Sequence, residues 1–593
     1  MRGNDEQKQD PTQIEWLATF ASQERATGVW KLPSGATVPY SNDRFAEHSL
    51  RTILLDSSDL SSLSPELAGH GKNWPASYYL SPQRTNLLRG FDWDSSARVL
   101  EVGAGCGSIT RFLGETFGHV VGVEGNSVRA ETARIRTRDL DNVEIVNAPI
   151  QEVPAAQVFD IVFCVGVLEY ASSFVHEDDP YAFMLGHMRD YLSQGGLLVL
   201  AIENKMGLKY FAGCAEDHSG IKYDGIEGYA RSAHGIAHTF SKKELGFQLA
   251  QAGFKSSEFF YPFPDYKLVS AMGSEEALSR GGGSVVSLLL RQQAFDYLSP
   301  PSKTMFDQQA TMRELIKAGL ADEMANSFLV MASRTERDPG LYSREWDAVA
   351  FSIGGRLPQF WAKTEVFGIG RKDATSAKSQ LRVDGPRSSM ADQLFSNLPT
   401  TDRWLDELSL GTTITEASKD PRFGVRDLAE RLQPWQEYLA KHTRRGGVLN
   451  GSFLDAIPQN MVFSGGQWHF IDREFEWGTT VSAKSVWIRG VLEVLSDAEA
   501  TPGAVDNLRG RSLARVLSEV SRHAGCTIKL LDLYEASRLE AALQEKTRGV
   551  KQHPFLFVLF VLRHRIGGGS PLYRSKTRIR RTAGDFLRKL GLR

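Results

Sequence analysis

The sequence predicts an α/β fold whose first half is built on a parallel sheet, and three observations carry that reading. Residues 98–124, RVLEVGAGCGSITRFLGETFGHVVGVE, read as a strand, a glycine turn, a helix and a second strand ending in an acid. Apolar runs and amphipathic stretches then alternate to about residue 275, which is the βαβ pattern of a parallel sheet. Gly103, Gly105 and Gly107 stand at alternate positions, an entropic cost with no packing return unless the backbone must turn sharply or admit a ligand.

In chain order, residues 1–75 are polar, punctuated by Pro39, Pro65 and Pro75, and read as an N-terminal cap. Residues 74–89 bring Tyr78, Tyr79 and Arg84, which either pack under the sheet or close over a ligand. Val99, Leu100 and Val102 form a buried strand. A helix over 108–117 turns its free N–H groups toward the glycine gap. The next strand, 119–123, leaves Glu124 at its carboxyl end, placed to accept two hydroxyl hydrogen bonds from a ribose. Helix 127–139, strands 143–147 and 159–165, helix 181–192, a Gly195-Gly196 turn, strand 197–202 and helix 239–252 follow, with the last strands near residue 275. A dinucleotide fold has a similar turn and acid, so the glycines alone leave the nucleoside open.

The wider wording narrows it. Glu101-Val-Gly-Ala-Gly-Cys-Gly followed by Glu124 resembles the first motifs of class I S-adenosylmethionine-dependent methyltransferases. The resemblance implies a Rossmann-like seven-stranded methyltransferase domain over residues 76–275 that binds S-adenosyl-L-methionine. Glu101, Gly103, Ala104, Gly105 and Gly107 would lie along the methionine part, Glu124 on the ribose, Ile150 and Gln151 over the adenine, and Arg84 near the carboxylate. Gly166-Val-Leu-Glu-Tyr would face the transferred methyl.

A long insertion, residues 203–238, is expected at the carboxyl edge of the sheet, where open α/β folds bind ligands. Rich in Tyr, His, Asp and Glu, including Tyr223, Tyr229, His234 and His238, it reads as the acceptor pocket. His218 is the expected base for methyl transfer to a hydroxyl, with Glu216 and Asp217 beside it. The same three residues also read as ligands of a divalent metal, and His218 as a solvated loop histidine. RTNLLR, the IENKMGLKYFAG insertion and FYPFPDYK resemble bacterial methyltransferases of cell-surface polysaccharide assembly. That resemblance implies an O-methyltransferase acting on a glycan or lipid-linked sugar, with glycosyltransferase partners. Methylation of another small molecule and a non-catalytic scaffold are the alternatives.

Residues 276–340 read as a linker and helical region, with a Gly-Ser stretch at 279–284. Within 341–562, Asp455-x-x-x-x-Asn460, a strand and Ile-Asp472 resemble the catalytic loop and metal-binding acid of kinases, closest to the aminoglycoside phosphotransferase branch. That implies a C-terminal α+β kinase-like domain using ATP and Mg²⁺. Asp455 would act on the acceptor hydroxyl, Asn460 and Asp472 would bind metal, and Lys363 would pair with the nucleotide phosphates. Phe453 stands where that branch carries His.

Composition bounds the rest. At 593 residues the chain should hold two to four domains. A net charge of -2 with 24% charged residues gives no global basic field, so no nucleic-acid partner is expected. Four dispersed cysteines suit a reducing, cytoplasmic setting. Residues 563–593 hold ten Lys or Arg against one acid, and this basic amphipathic tail reads either as a peripheral contact with the inner membrane surface or as a docked terminal helix.

Overall fold

The computed structural model describes residues 13–38, 44–71, 73–155, 159–232, 237–290, 306–336, 340–381, 394–396, 398–472 and 474–567. His234 and the tail from residue 568 onward, which carried two of the expectations above, lie outside them. The chain divides into two units: Met1–Arg280, Leu288–Lys303 and Glu314–Phe351 form the first, and Gly281–Ser287, Thr304–Arg313 and Ser352–Arg593 the second.

The first unit is built on one sheet. Its strands are β1 (Ser22–Gln23), β2 (Trp30–Lys31), β3 (Arg98–Val102), β4 (His119–Glu124), β5 (Val143–Asn147), β6 (Phe159–Val165), β7 (Leu192–Glu203), β8 (Ser256–Phe263), β9 (Ala271–Gly273), β10 (Ser327–Ser333) and β11 (Ala348–Ser352). They lie in the order β1-β2-β5-β4-β3-β6-β7-β10-β8-β9-β11. From β5 to β7 every pairing is parallel, while β10 runs antiparallel to both β7 and β8. The central strands are buried on both faces, which is why they read as continuous apolar runs.

Helices α1 (Arg44–Asp56), α2 (Trp74–Leu80), α3 (Ser108–Thr116), α4 (Ser127–Arg136), α5 (Pro180–Tyr191) and α6 (Lys242–Gln251) belong to this unit. Local chemistry sets their starts. Asn126 Oδ1 accepts from the Val128 and Arg129 amides, and Asp179 caps α5 with Pro180 in its first turn. Ser241 and Glu244 form a reciprocal capping box at α6.

Two expectations are corrected. The seventh strand of the sheet is not near residue 275 but is β10, inserted between β7 and β8 after an excursion of some sixty residues. An antiparallel strand joined by a long connection leaves no local signal that assigns it to a particular sheet. Second, Gly195 and Gly196 do not precede a strand. They lie inside β7, where the register against β6 jumps from Phe159↔Leu192 to Ile161↔Leu197. The N-terminal segment also supplies part of the sheet, since Trp30 and Lys31 pair in parallel with Val146 and Asn147.

In the second unit, β12 (Ala362–Phe367), β13 (Thr375–Gln380) and β14 (Thr400–Arg403) form an antiparallel run, and β15 (Met461–Ser464) pairs with β16 (Gln467–Phe470) as a hairpin. Helices α7 (Val425–His442) and α8 (Ala483–Ala500) pack through stacked indoles of Trp435 and Trp487, 4.9 Å apart. Gly490 admits this packing, because a Cβ there would stand 2.4 Å from the Trp435 ring.

Leu329, fully buried on β10, tests the assignment of that strand. Leu329→Ala is expected to destabilise the first unit by about 2–5 kcal/mol in urea unfolding. A change below about 0.5 kcal/mol would remove β10 from the core.

Candidate functional site

The glycine turn between β3 and α3 is held by a carboxylate. Glu124, at the end of β4, accepts from the Gly105 amide through Oε2 and from the Asn126 amide through Oε1, both at 2.8 Å. Gly103, Gly105 and Gly107 all have positive φ. A Cβ on Gly103 would lie 2.4 Å from Val167 Cγ2, and one on Gly107 2.8 Å from the Ala133 backbone. At Gly105 the nearest atom to such a Cβ is Tyr79 Cε1, at 3.6 Å, so the edge of that ring borders the turn in ordinary contact. Glu101 is buried beside the turn with Oε2 lacking any hydrogen-bond partner, and burial pushes its pKa up to about 8 against the nearby Arg84 charge. Burial likewise raises Glu124, opposed by the Asn126 amide and the Arg129 charge.

Arg84 is buried, with its guanidinium 4.6 Å from the Tyr78 ring centroid and Nη1 donating to Tyr266 O at 3.0 Å. Ile150 and Gln151 sit on a 3₁₀ turn after β5, where Gln151 donates to Phe174 O. Gly166 follows β6 with φ +74°, and a Cβ there would stand 2.7 Å from the Tyr266 hydroxyl. Ala104 is buried in the turn itself.

The insertion folds as a packed segment rather than an open loop. Lys209, Tyr210, Cys214, Glu216 and Asp224 are buried. It brings His218 to the carboxyl ends of β6 and β7, where one ligand atom from each of Glu169, Glu203 and His218 lies within 4.8 Å of the others. Glu203 pairs with Lys267 Nζ at 2.5 Å, and His218 Nδ1 stands 3.1 Å from the Tyr170 hydroxyl. Tyr266 OH lies 3.4 Å from Glu203 and 3.5 Å from Glu169.

This geometry corrects the reading of Glu216, Asp217 and His218 as one group. Glu216 accepts from the His218 and Ser219 amides and so shapes the loop. Asp217 is neutralised by Lys209 Nζ at 2.8 Å and by Lys267 Nζ. Adjacent residues leave the chain in different directions, so the three side chains find different partners. Burial opposes a charge on His218, but Glu203, and then Glu169, overcome it and hold the imidazole up to about 9. His218 therefore carries its proton at neutral pH and does not serve as a proton acceptor in this state. It is also not a solvated loop residue, since its side chain is 8% exposed. Burial and the Glu203 charge push Glu169 up to about 8, while Lys267 and His218 outweigh burial and hold Glu203 well below the usual carboxylate range.

In the second unit, Asp455 is buried and its Oδ1 accepts from Arg489 at 3.0 Å, with burial raising its pKa against that guanidinium. Its loop is anchored by Trp435 Nε1, which donates to Ala456 O at 2.7 Å. Asn460 Nδ2 donates to Asp455 O at 3.0 Å. Asp472, at φ +54°, accepts from Lys378 Nζ at 2.7 Å, and Lys378 also meets Glu474 at 2.5 Å. Lys363 is not the lysine of this group. It pairs with Glu365 two positions along its own strand, at 2.9 Å.

Sequence reasoning thus missed Tyr266, Lys267 and Lys378 as site residues, and it placed Glu169 in the post-strand segment without a role of its own. Glu169 offered a signal, three positions after the post-strand Gly166. Tyr266 and Lys267 stood within FYPFPDYK without an assigned task. Lys378 carried no signal, because nothing local marks one strand lysine over another.

Residues 100–198 match a family model described as a methyltransferase domain. The tRNA U34 carboxymethyltransferase of Shewanella sediminis is 36% identical over 106 residues, 17% of this chain and 30% of that protein. An uncharacterized methyltransferase of Alkaliphilus oremlandii is 28% identical over 103 residues, 17% of this chain and 44% of that one. Among solved structures, a phosphoethanolamine N-methyltransferase 2 of Haemonchus contortus in complex with S-adenosyl-L-methionine is 16% identical, covering 48% of this chain and 60% of that chain with a TM-score of 0.27. The chain spans about 30% of the length of the first curated relatives it matches. The residues that match the family model lie within the first unit.

The raised pKa of Glu101 has a defined sign. Because the folded state holds the proton more tightly than the unfolded chain, this contribution to stability is full below about 4.5 and is lost as pH rises through about 8. Glu101→Gln removes the penalty, so its stability relative to wild type should grow by on the order of a few kcal/mol between pH 5 and pH 9. Urea unfolding at the two pH values reads it; an equal difference at both would sink the assignment.

Proposed function

We propose that the first unit is an S-adenosylmethionine-dependent methyltransferase, and the observation that carries it is the pair of Glu124 hydrogen bonds clasping a turn of three positive-φ glycines. The matched domain over residues 100–198 supports the reading. Two features fit the cofactor. Glu124 keeps unused lone pairs for a ribose diol, and Glu101 Oε2 is buried without a hydrogen-bond partner, a carboxyl that the cofactor's ammonium group would draw into its charged form. When bound, S-adenosylmethionine supplies an electrophilic methyl on a sulfonium.

The chain's own residues divide the remaining work. Glu124 holds the diol and the turn together. Tyr78 and Tyr266 wall the Arg84 guanidinium, which the reading sets near the cofactor carboxylate. Gly166 leaves room for the Tyr266 ring, whose hydroxyl reaches toward Glu169 and Glu203 at the acceptor end. The acceptor we infer is a sugar hydroxyl of a surface glycan or its lipid-linked precursor, on the resemblance of the insertion and FYPFPDYK to that group of enzymes. The tRNA in the relatives' name is not carried over, since a net charge of -2 offers no field to follow a phosphate backbone.

A second activity is favoured by one observation. Lys378 bridges Asp472 and Glu474 beside the Asp455–Asn460 loop, a set suited to phosphoryl transfer from ATP with Mg²⁺.

Glu124→Ala is expected to weaken S-adenosylhomocysteine binding at least tenfold by calorimetry and to abolish transfer of labelled methyl to lipid-linked glycan acceptors. Unchanged affinity would overturn the cofactor site, and cofactor binding without turnover on any acceptor would favour a scaffold. For the second unit, MgATP should bind wild type and lose at least tenfold in affinity in Lys378→Ala. Absence of binding to wild type would reduce that unit to a non-catalytic fold.

A further inference from the structure

We propose that Glu169, Glu203 and His218 form a divalent-cation site at the carboxyl edge of the first unit's sheet. The three come from separate elements: Glu169 from the turn after β6, Glu203 from the end of β7, His218 from the insertion. One ligand atom of each falls within 4.8 Å of the others. Donors sharing one ion at about 2.1 Å stand about 3 to 4 Å apart, so shifts of under about 1 Å close the set.

Each residue engages one polar atom with a neighbour and leaves its other atom unsatisfied. Glu203 Oε1 meets Lys267 Nζ, Glu169 Oε1 faces Tyr266 OH, and His218 Nδ1 faces Tyr170 OH. Glu169 Oε2, Glu203 Oε2 and His218 Nε2 are buried without a hydrogen-bond partner. His218 Nε2 and Glu203 Oε2 face each other as a long ion pair at 3.6 Å, beyond hydrogen-bonding distance. Buried atoms left without a hydrogen bond are costly, and three that converge suit a shared ligand. A cation binds here by displacing the proton that the imidazole otherwise carries on Nε2, leaving Nδ1–H to donate to Tyr170. A cation serves all three.

The surroundings match. The outer contacts orient each donor as neighbours of metal ligands do. The five acids Glu169, Glu203, Glu216, Asp217 and Asp265 outnumber Lys209, Lys267 and the charged His218, so the pocket holds a surplus of acidic groups. One imidazole with two carboxylates suits a borderline-hard ion, and Mn²⁺ is the natural probe. On the methyl-transfer reading, on which this consequence rests, the cation binds the acceptor oxygen and lowers its pKa. Cation binding itself does not rest on that reading.

The test uses the full chain carrying Asp472→Asn, which removes a candidate metal residue in the second unit, and follows free Mn²⁺ by electron paramagnetic resonance. One bound Mn²⁺ per chain is expected, with affinity falling at least tenfold in Glu169→Gln and in His218→Gln while S-adenosylhomocysteine affinity holds. No bound Mn²⁺, or binding unchanged in both variants, overturns the site. Where a variant loses S-adenosylhomocysteine binding, Tyr170→Phe decides, because it keeps all three ligands but frees Nδ1: about tenfold weaker Mn²⁺ binding supports the site, and unchanged binding overturns it. Failure of wild type to bind S-adenosylhomocysteine would sink the methyltransferase reading alone.

Discussion

Four strands or post-strand turns along one edge of the first unit's sheet deliver buried carboxylates, and each must be offset or neutralised there. Glu101, Glu124, Glu169 and Glu203 are each less than a tenth exposed. An unpaired buried charge is too expensive to keep, so the four acids have found three remedies. Glu124 takes two backbone amides, Glu203 takes Lys267, and Glu101 and Glu169 hold protons more tightly than free glutamates do. The remedies organise the site. An acid that clasps a glycine turn presents that turn to a ligand, and an acid held ionised by a lysine keeps charge where an acceptor would approach.

Tyr266 joins the two halves of this edge. Its backbone carbonyl receives Arg84, its ring fills the space left by Gly166, and its hydroxyl faces Glu169 and Glu203. It reaches that place because the chain runs on past β8 before returning as β10. The excursion between the sixth and seventh strands therefore furnishes Tyr266 and Lys267, a pair on which the acceptor end depends. In the second unit the comparable economy is a buried tryptophan: Trp435 fills the gap over Gly490 and holds the Asp455 loop by its indole N–H.

The two units offer different surroundings for charge. The first unit offers an enclosed edge of acids and lysines, suited to a small, precisely held acceptor. The second offers Lys378 between two carboxylates, with Asp455 held by Arg489. Among the described residues no helix is long and apolar enough to cross a membrane.

Residues 98–165 were largely legible, because a parallel strand buried on both faces writes a continuous apolar run and a sharp turn writes glycine. The strands 143–147 and 159–165 have the expected limits, the helix after Gly107 ends one residue early, and the helix expected over 127–139 ends at Arg136. The seventh strand was not legible, nor was the partner of His218, nor the choice between Lys363 and Lys378. On adjacent antiparallel strands Lys378 pairs in register with Thr364 and Lys363 with Ser379. That register, with Glu365 two positions from Lys363 on the same face, leaves Lys378 for Asp472. Runs and turns are properties of neighbours along the chain, and the amino-acid order settles them; a charge finds its counter-charge across tens to hundreds of residues, and only the closed fold sets that distance.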